Sequence, residues 1–282
     1  MASQPVQRPG VPYFFDHSVA FVSNSTYQAF QNSTWLRDVF SSLTVDTQTT
    51  PEQPSVTQQF ERTSLMFFQE GAFGFPPGMT GFGFTSESPG GLKLATHALE
   101  TSLGKDNVSP YTETTSVHGR AATVRGSEMA FSGPFFSWVN ETSTDSSPNI
   151  PLTRTEMVNE DYAPAKLASN LVAIGLALGP EDSGRFEQVL RAVGWSVERH
   201  EAYFAGHSPL DGGSRRSVIV EPAVGSRRGM SVAVIALNRY TSHDEQLGDA
   251  RLMVGVRGKN VAVLRIHPSA GNEAIEREID GL

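Results

Sequence analysis

Cysteine is absent from the 282 residues. That removes disulfides, thiolate-bound zinc and thiol nucleophiles. Also absent is any apolar run of the roughly 18–20 residues that a membrane-spanning helix needs. The longest, Leu171 to Leu178, has strand length. Met1 to Pro12 lacks the apolar stretch of a secretory signal, so the expectation is a soluble, cytoplasmic protein with no membrane partner. On that expectation the Asn-x-Ser/Thr triplets at Asn24, Asn32, Asn107 and Asn140 are chance matches in a Ser/Thr-rich chain. Basic residues are scarce. Twenty-two Lys and Arg against 30 Asp and Glu leave a net charge of −8. Residues 1–150 carry 7 basic and 13 acidic side chains, residues 151–282 carry 15 and 17. An acidic chain without a basic stripe is a poor nucleic-acid binder. The pairs Arg215-Arg216 and Arg227-Arg228 read as solvated loop ends. Several catalytic signatures are missing as well. There is no G-x-S-x-G elbow, no HExxH and no His-x-His. The glycines of GFGFPPGMTGFGF do not form a nucleotide loop ahead of a helix.

What is present is a dense set of aromatic residues, with 17 Phe and 3 Trp, and a pattern of strands interrupted by single helices. YFFDHSVAFV (13–22) predicts a strand. Ser23 and Asn24 can cap a segment from Ser25 to about Phe40, interrupted near Asn32-Ser33-Thr34. The polar stretch 41–59 reads as a loop. Short strands are expected at 60–63 and 65–69, and another at 72–75, before the break at Pro76-Pro77-Gly78. MTGFGFTS (79–86) alternates Gly with Phe, which predicts a strand closely approached by something. A helix is expected from Gly91 to Leu103, then weaker strands at 117–124 and 128–131. FFSWVN (135–140) is a further strand, and 142–151 reads as a linker. The second half repeats the order. Strand 170–178 is followed by a helix opening at Pro180-Glu181-Asp182, then by strands near 195–198, 217–221, 230–237, 252–256 and 261–266. The segments 77–84 and 228–235 sit at matching places in the two halves, which points to internal duplication.

This repeated strand–helix–strands order resembles the vicinal oxygen chelate, or glyoxalase-like and bleomycin-resistance-like, superfamily. Three stretches carry the resemblance: Phe15-Asp16-His17, the run from Gly78 to the helix entry at Pro89-Gly90-Gly91-Leu92, and Phe135–Asn140 with Glu141. The resemblance implies an α+β fold of βαβββ units forming curled mixed sheets with helices outside. It implies an N-terminal domain at 12–145, a linker at 146–167 and a degenerate C-terminal copy at 168–268. It further implies a cup for a small organic molecule, with room for a homodimer. Metal-dependent members hold a divalent ion (Zn, Fe, Mn or Ni) through His or Glu side chains from four strands, and the scaffold serves lyase, isomerase and dioxygenase chemistry. On this resemblance His17 and Glu141 are the expected metal ligands, with Glu141 and Glu70 as candidate catalytic carboxylates. The middle strands offer no ligand. That departure favours an alternative, a non-catalytic binding or sequestering protein.

Alternation along the first strand puts Phe15, His17 and Val19 on one face, with Phe14, Asp16 and Ser18 on the other. Phe73, Phe75, Phe82, Phe84, Phe136 and Trp138 are the expected lining of an aromatic cup.

Overall fold

The structure, a computed structural model, describes residues 11–46, 55–75, 78–157, 162–210, 215–225, 228–266 and 273–281. The expectations for Met1 to Gly10, for Pro76-Pro77 and for Arg227 lie outside the described residues. No helix among the described residues is long and apolar enough to cross a membrane.

The chain runs β1 (Tyr13–Val22), α1 (Asn24–Asn32), β2 (Ser42–Asp46), β3 (Ser55–Gln59), β4 (Ser64–Gln69), β5 (Thr80–Ser86), α2 (Gly91–Leu103), β6 (Val108–Val117), β7 (Arg120–Met129) and β8 (Phe135–Thr144). After a short helix α3 (Arg154–Met157) come β9 (Ala168–Leu178), α4 (Pro180–Ala192), β10 (Ser196–Arg199), β11 (Phe204–His207), β12 (Ser217–Pro222), β13 (Gly229–Leu237), β14 (His243–Leu247), β15 (Ala250–Val254), β16 (Val261–Arg265) and α5 (Glu273–Gly281). The first eight strands form one sheet in the order β2-β3-β4-β1-β5-β8-β7-β6. The other eight take the same order, β10-β11-β12-β9-β13-β16-β15-β14, but β13 and β16 are antiparallel where β5 and β8 are parallel. Each sheet is mixed. β1 is parallel to β4 and antiparallel to β5, and β9 stands in the same relation to β12 and β13. Each half is thus α+β, built on one mixed eight-stranded sheet. One unit lacks its helix, since β13 and β14 are joined directly where the first half has α2.

The core lies between the sheets. Phe82 and Phe84 of β5 point away from the curl and meet Phe186 of α4 and Trp195, with ring centroids 5.3–6.4 Å apart. Burial of each such ring contributes roughly 1.5–3 kcal/mol. The Trp195 indole donates to the Tyr13 carbonyl across the halves at 2.9 Å. The two glycine-led strands also touch at their starts, where the Met230 amide donates to Thr80 Oγ1 at 2.9 Å. Gly229 has φ +89, and a Cβ there would lie 2.3 Å from the Gly78 carbonyl oxygen. The duplicated segments are therefore in contact.

Several local expectations are corrected. Residues 42–46 and 55–59 are the edge strands β2 and β3 and not loop. Thr44, Thr57 and Gln59 face a cavity, which is why the sequence is polar there. The expected strand at 60–63 is the turn between β3 and β4, closed by the Phe60 amide donating to the Thr63 carbonyl at 2.9 Å. Residues 72–75 form a tight 3-10 turn and not a strand, with Phe73 held at φ +56 between left-handed Gly71 and Gly74. The segment 117–124 spans a hairpin turn at His118-Gly119, where φ is +51 and +71. β8 continues to Thr144, into the expected linker.

Candidate active site

β1 carries one extra residue relative to β5. Phe15 pairs with Phe84 and Ser18 with Phe82, so three steps on β1 match two on β5. Such a bulge re-aims side chains. Tyr13 and Phe15 go to the core, while Val19 and Phe21 join a separate cluster on the concave face. Asp16 and His17 both line the concave cavity. The expected grouping of Phe15 with His17 and Val19, and of Asp16 on the opposite face, is thus corrected by the bulge.

His17 Nδ1 and Asp16 Oδ2 are 2.9 Å apart. The Asn140 amide donates to the same carboxylate oxygen at 3.1 Å. Burial alone would push the Asp16 carboxyl up. His17, the Asn140 hydrogen bond and the Arg154 guanidinium outweigh it and hold the group below the ordinary carboxyl value. An ionised carboxylate only accepts, so the His17 nitrogen facing it, Nδ1, carries a proton. Tyr111 completes this end of the cup. Its ring lies over Gly126, where a Cβ would come within 2.4 Å of it. Burial raises the Tyr111 hydroxyl pKa, and the Asp16 charge raises it further.

The rest of the lining mixes aromatic and aliphatic side chains with Ser, Thr, Gln and Glu, and the cavity's volume is about 890 Å³. That is the size of a small-molecule site. An aromatic ladder crosses its floor. Phe75 stacks near Phe136 at 6.1 Å, Phe136 on Trp138 at 5.4 Å, and Trp138 meets the His17 ring at 4.8 Å. Gly81 and Gly83 of β5 make room for it. A Cβ on either would come within 2.4 Å of the Phe136 or Trp138 ring. The close approach read from the Gly–Phe alternation is this ladder. Phe73 and Phe75, on the 3-10 turn, remain 45% and 38% exposed at the cavity wall.

The structure therefore brings Phe73, Phe75, Phe136 and Trp138 together with His17. Phe82 and Phe84 are fully buried in the core on the opposite face. Glu141 follows Asn140 and points to the helix side, beside Thr96 and Gly90 of the α2 region. Its charge there helps to raise the Tyr13 hydroxyl to about 12, after the larger effect of burial. Glu70 borders another crevice, with Ser23 and Asp249. Neither carboxylate shares the cavity with His17. Sequence reasoning passed over Asp16, Asn140, Tyr111, Glu113 and Glu128, all of which line it. The signal for Asn140 was available: the alternation that puts Phe136 and Trp138 in the cup puts Asn140 there and Glu141 outside.

The equivalent face of the second sheet is different. Val232, Val234, Val261 and Val263 replace glycines and aromatics, and Ile275 and Ile279 of α5 cover them. Lys259 Nζ donates to the Ile279 and Asp280 carbonyls at 2.6 and 2.8 Å, satisfying the helix end. Arg257 pairs with Glu276 and Asp280. One cup is open and chemically mixed; its copy is aliphatic and filled by the chain's own helix.

A model described as a family of unknown function, DUF5829, matches residues 15–262. The chain belongs to that family. No curated protein matches the sequence. Among solved structures it is similar to a mutant of 4-hydroxymandelate synthase from Streptomyces coelicolor, with 10% identity and a TM-score of 0.41, over 74% of this chain and 63% of that one. It is similar to a catechol 2,3-dioxygenase, with 11% identity and a TM-score of 0.45 over 85% and 82% of the two chains. It is also similar to glyoxalase I from Zea mays, with 12% identity and a TM-score of 0.33 over 75% and 68%. The chain thus spans less than two thirds of the synthase. At these identities none of the three assigns a reaction to it.

The divalent metal implied by the superfamily can be tested against the cup's donors. β4 presents Ser64, Met66 and Phe68, and β8 presents Phe136, Trp138 and Asn140. β5 presents glycines. β1 supplies an imidazole and a carboxylate, adjacent in sequence and already bonded to each other, while the other carboxylates of the lining, Glu113 and Glu128, stand on β6 and β7. Among the described residues no three His, Asp or Glu side chains are grouped to hold an ion. A structural or catalytic transition-metal site takes three or four protein ligands. The residues do not fit the group.

Proposed function

We propose that the concave face of the first sheet binds a small, largely apolar organic molecule. The aromatic ladder takes its flat part, and the Asp16–His17–Asn140 end takes one polar group. The observation that carries this reading is the contrast between the two copies of one scaffold. Apolar side chains at a sheet surface are normally covered, as α5 covers the second cup. In the first, Phe73 and Phe75 remain exposed beside a half-buried, directional polar cluster. The binding-module reading is thereby favoured over a metal-dependent lyase, isomerase or dioxygenase, whose expected ligands His17 and Glu141 face opposite sides of β8 and β1.

One observation keeps an enzymatic role in view. His17 is held by Asp16 in the orientation of a histidine–carboxylate pair, with Nε2 left toward the cup. Such a pair can take a proton from a bound molecule and needs no metal to do so.

Saturation-transfer NMR with a library of one- and two-ring aromatic fragments tests the proposal, on tag-free protein before and after chelation. Binders are expected, with signals unchanged by chelator, and Trp138→Ala should weaken them about tenfold or more. Loss of binding on chelation, with a stoichiometric metal in the untreated protein, would restore the metal reading. Undiminished binding in a folded Trp138→Ala protein would place the site elsewhere.

A further inference from the structure

The lining of the first cup is unbalanced in charge. Asp16, Glu113 and Glu128 contribute carboxyl groups, and no Lys or Arg belongs to the lining among the described residues. Arg154, the cation that acts on Asp16, lies outside the lining. It is buried, 2.8 Å from Glu87 and over the Phe14 ring at 4.1 Å. Glu113 and Glu128 form no ion pair among the described residues, and both are exposed at the cavity wall. Burial raises the Glu128 carboxyl pKa, and Glu113 raises it further. The wall therefore presents negative charge to an incoming ligand without a lysine or arginine beside it.

A second observation is independent of these acids. Asn140 is 6% exposed and lines the cavity, and its Oδ1 accepts no hydrogen bond. A buried acceptor left open is destabilising by roughly 1–3 kcal/mol, which a bound donor would offset. A third is the ladder of Phe75, Phe136 and Trp138, whose ring faces attract cations. Acceptors, carboxylates and aromatic faces converge on one cavity, and they select the same ligand chemistry.

Resting on the reading of this cup as a small-molecule site, we infer that its ligand is an organic cation, an aromatic or alkyl-aromatic amine. The ring system lies along Phe136 and Trp138. The ammonium group donates to Asn140 Oδ1 and Asp16 and is drawn in by Glu113 and Glu128. A carboxylate or phosphate ligand would meet three carboxylates, with His17, already bonded to Asp16, as the one basic side chain of the lining among the described residues.

Isothermal titration with three probes of one shape tests this: 1-naphthylmethylamine, 1-naphthalenemethanol and 1-naphthoate. The amine should bind about tenfold tighter than the alcohol, the naphthoate weakest, and the preference should shrink at high salt. Glu128→Gln, at the exposed edge of β7, should lower amine affinity and leave the alcohol unchanged. Asp16→Asn should lower amine affinity more strongly than alcohol affinity. Alcohol binding equal to or tighter than amine binding would overturn the cation inference and leave the cup reading standing. Tightest binding by naphthoate would also overturn it. Binding by none of the three would overturn both.

Discussion

At the scale of the residue, Asp16 is the side chain on which the polar end of the cup depends. Its Oδ2 accepts from both His17 and Asn140, so its removal frees two side chains at once. Asp16→Asn should destabilise the protein at neutral pH by about 1–3 kcal/mol, the range for a charge-assisted hydrogen bond. The pH dependence has a definite sign. The folded-state pKa lies below the ordinary value of 3.8, so the carboxylate's contribution is present above that value and is lost as pH falls through the folded pKa. Urea unfolding at pH 7, 5 and 3.5 should show a wild-type advantage that holds between pH 7 and 5 and narrows toward 3.5. An advantage that grew in acid would contradict the geometry. This residue was visible in the sequence as half of an Asp-His pair inside an apolar strand, but its direction was not. Period-two alternation assigned it to the wrong face because a bulge depends on the pairing register with β5, which no local pattern encodes. Phe82 and Phe84 show the converse. Their alternation with glycine was legible, yet which face turned to the cup depended on Phe136 and Trp138 of the neighbouring strand.

At the scale of the element, strands and helices were legible wherever burial was one-sided or complete. α2 follows the expected bounds because Gly91 and Gly104 mark its ends and Ala95 and Leu99 its buried face. β9 reads as continuously apolar because it is covered on both faces, by the core and by α5. β2, β3 and β6 were missed because their residues serve a polar cavity wall or an exposed edge. Hydropathy does not separate such strands from loop. The element with the clearest consequence is α5. Ile275 and Ile279 are 1% and 2% exposed against the second cup. Replacing Ile279 by Asp puts a charge into that contact, and a loss of about 2–5 kcal/mol is expected. Hydrophobic dye binding should rise as the aliphatic face opens, with fragment binding in the first cup unchanged. Unaltered stability and dye binding would show that α5 does not cover that face.

At the scale of the whole molecule, two sheets of the same strand order carry one open face and one covered face. The unequal halves were legible in composition: the acidic, aromatic-rich half carries the open cup and the aliphatic half the filled one. The alternation of strands with single helices could be expected from the sequence, whereas the strands β2, β3, β6, β11 and β14 could not. The joining of the two sheets through Phe82, Phe84, Phe186 and Trp195 could not, since it depends on contacts between residues about a hundred positions apart. The candidate site was legible in part for a related reason. His17, Phe136 and Trp138 lie on strand phases that converge and the 3-10 turn adds Phe73 and Phe75, whereas Glu141 and Glu70 were chosen for chemistry without regard to face. The most direct test of the account is a crystal structure grown with the tightest-binding aromatic fragment. The account predicts its ring over Phe136 and Trp138 and its polar group within hydrogen-bond distance of Asp16 or Asn140 Oδ1. A fragment seated under α5, or a metal ion bridging it to His17, would contradict it.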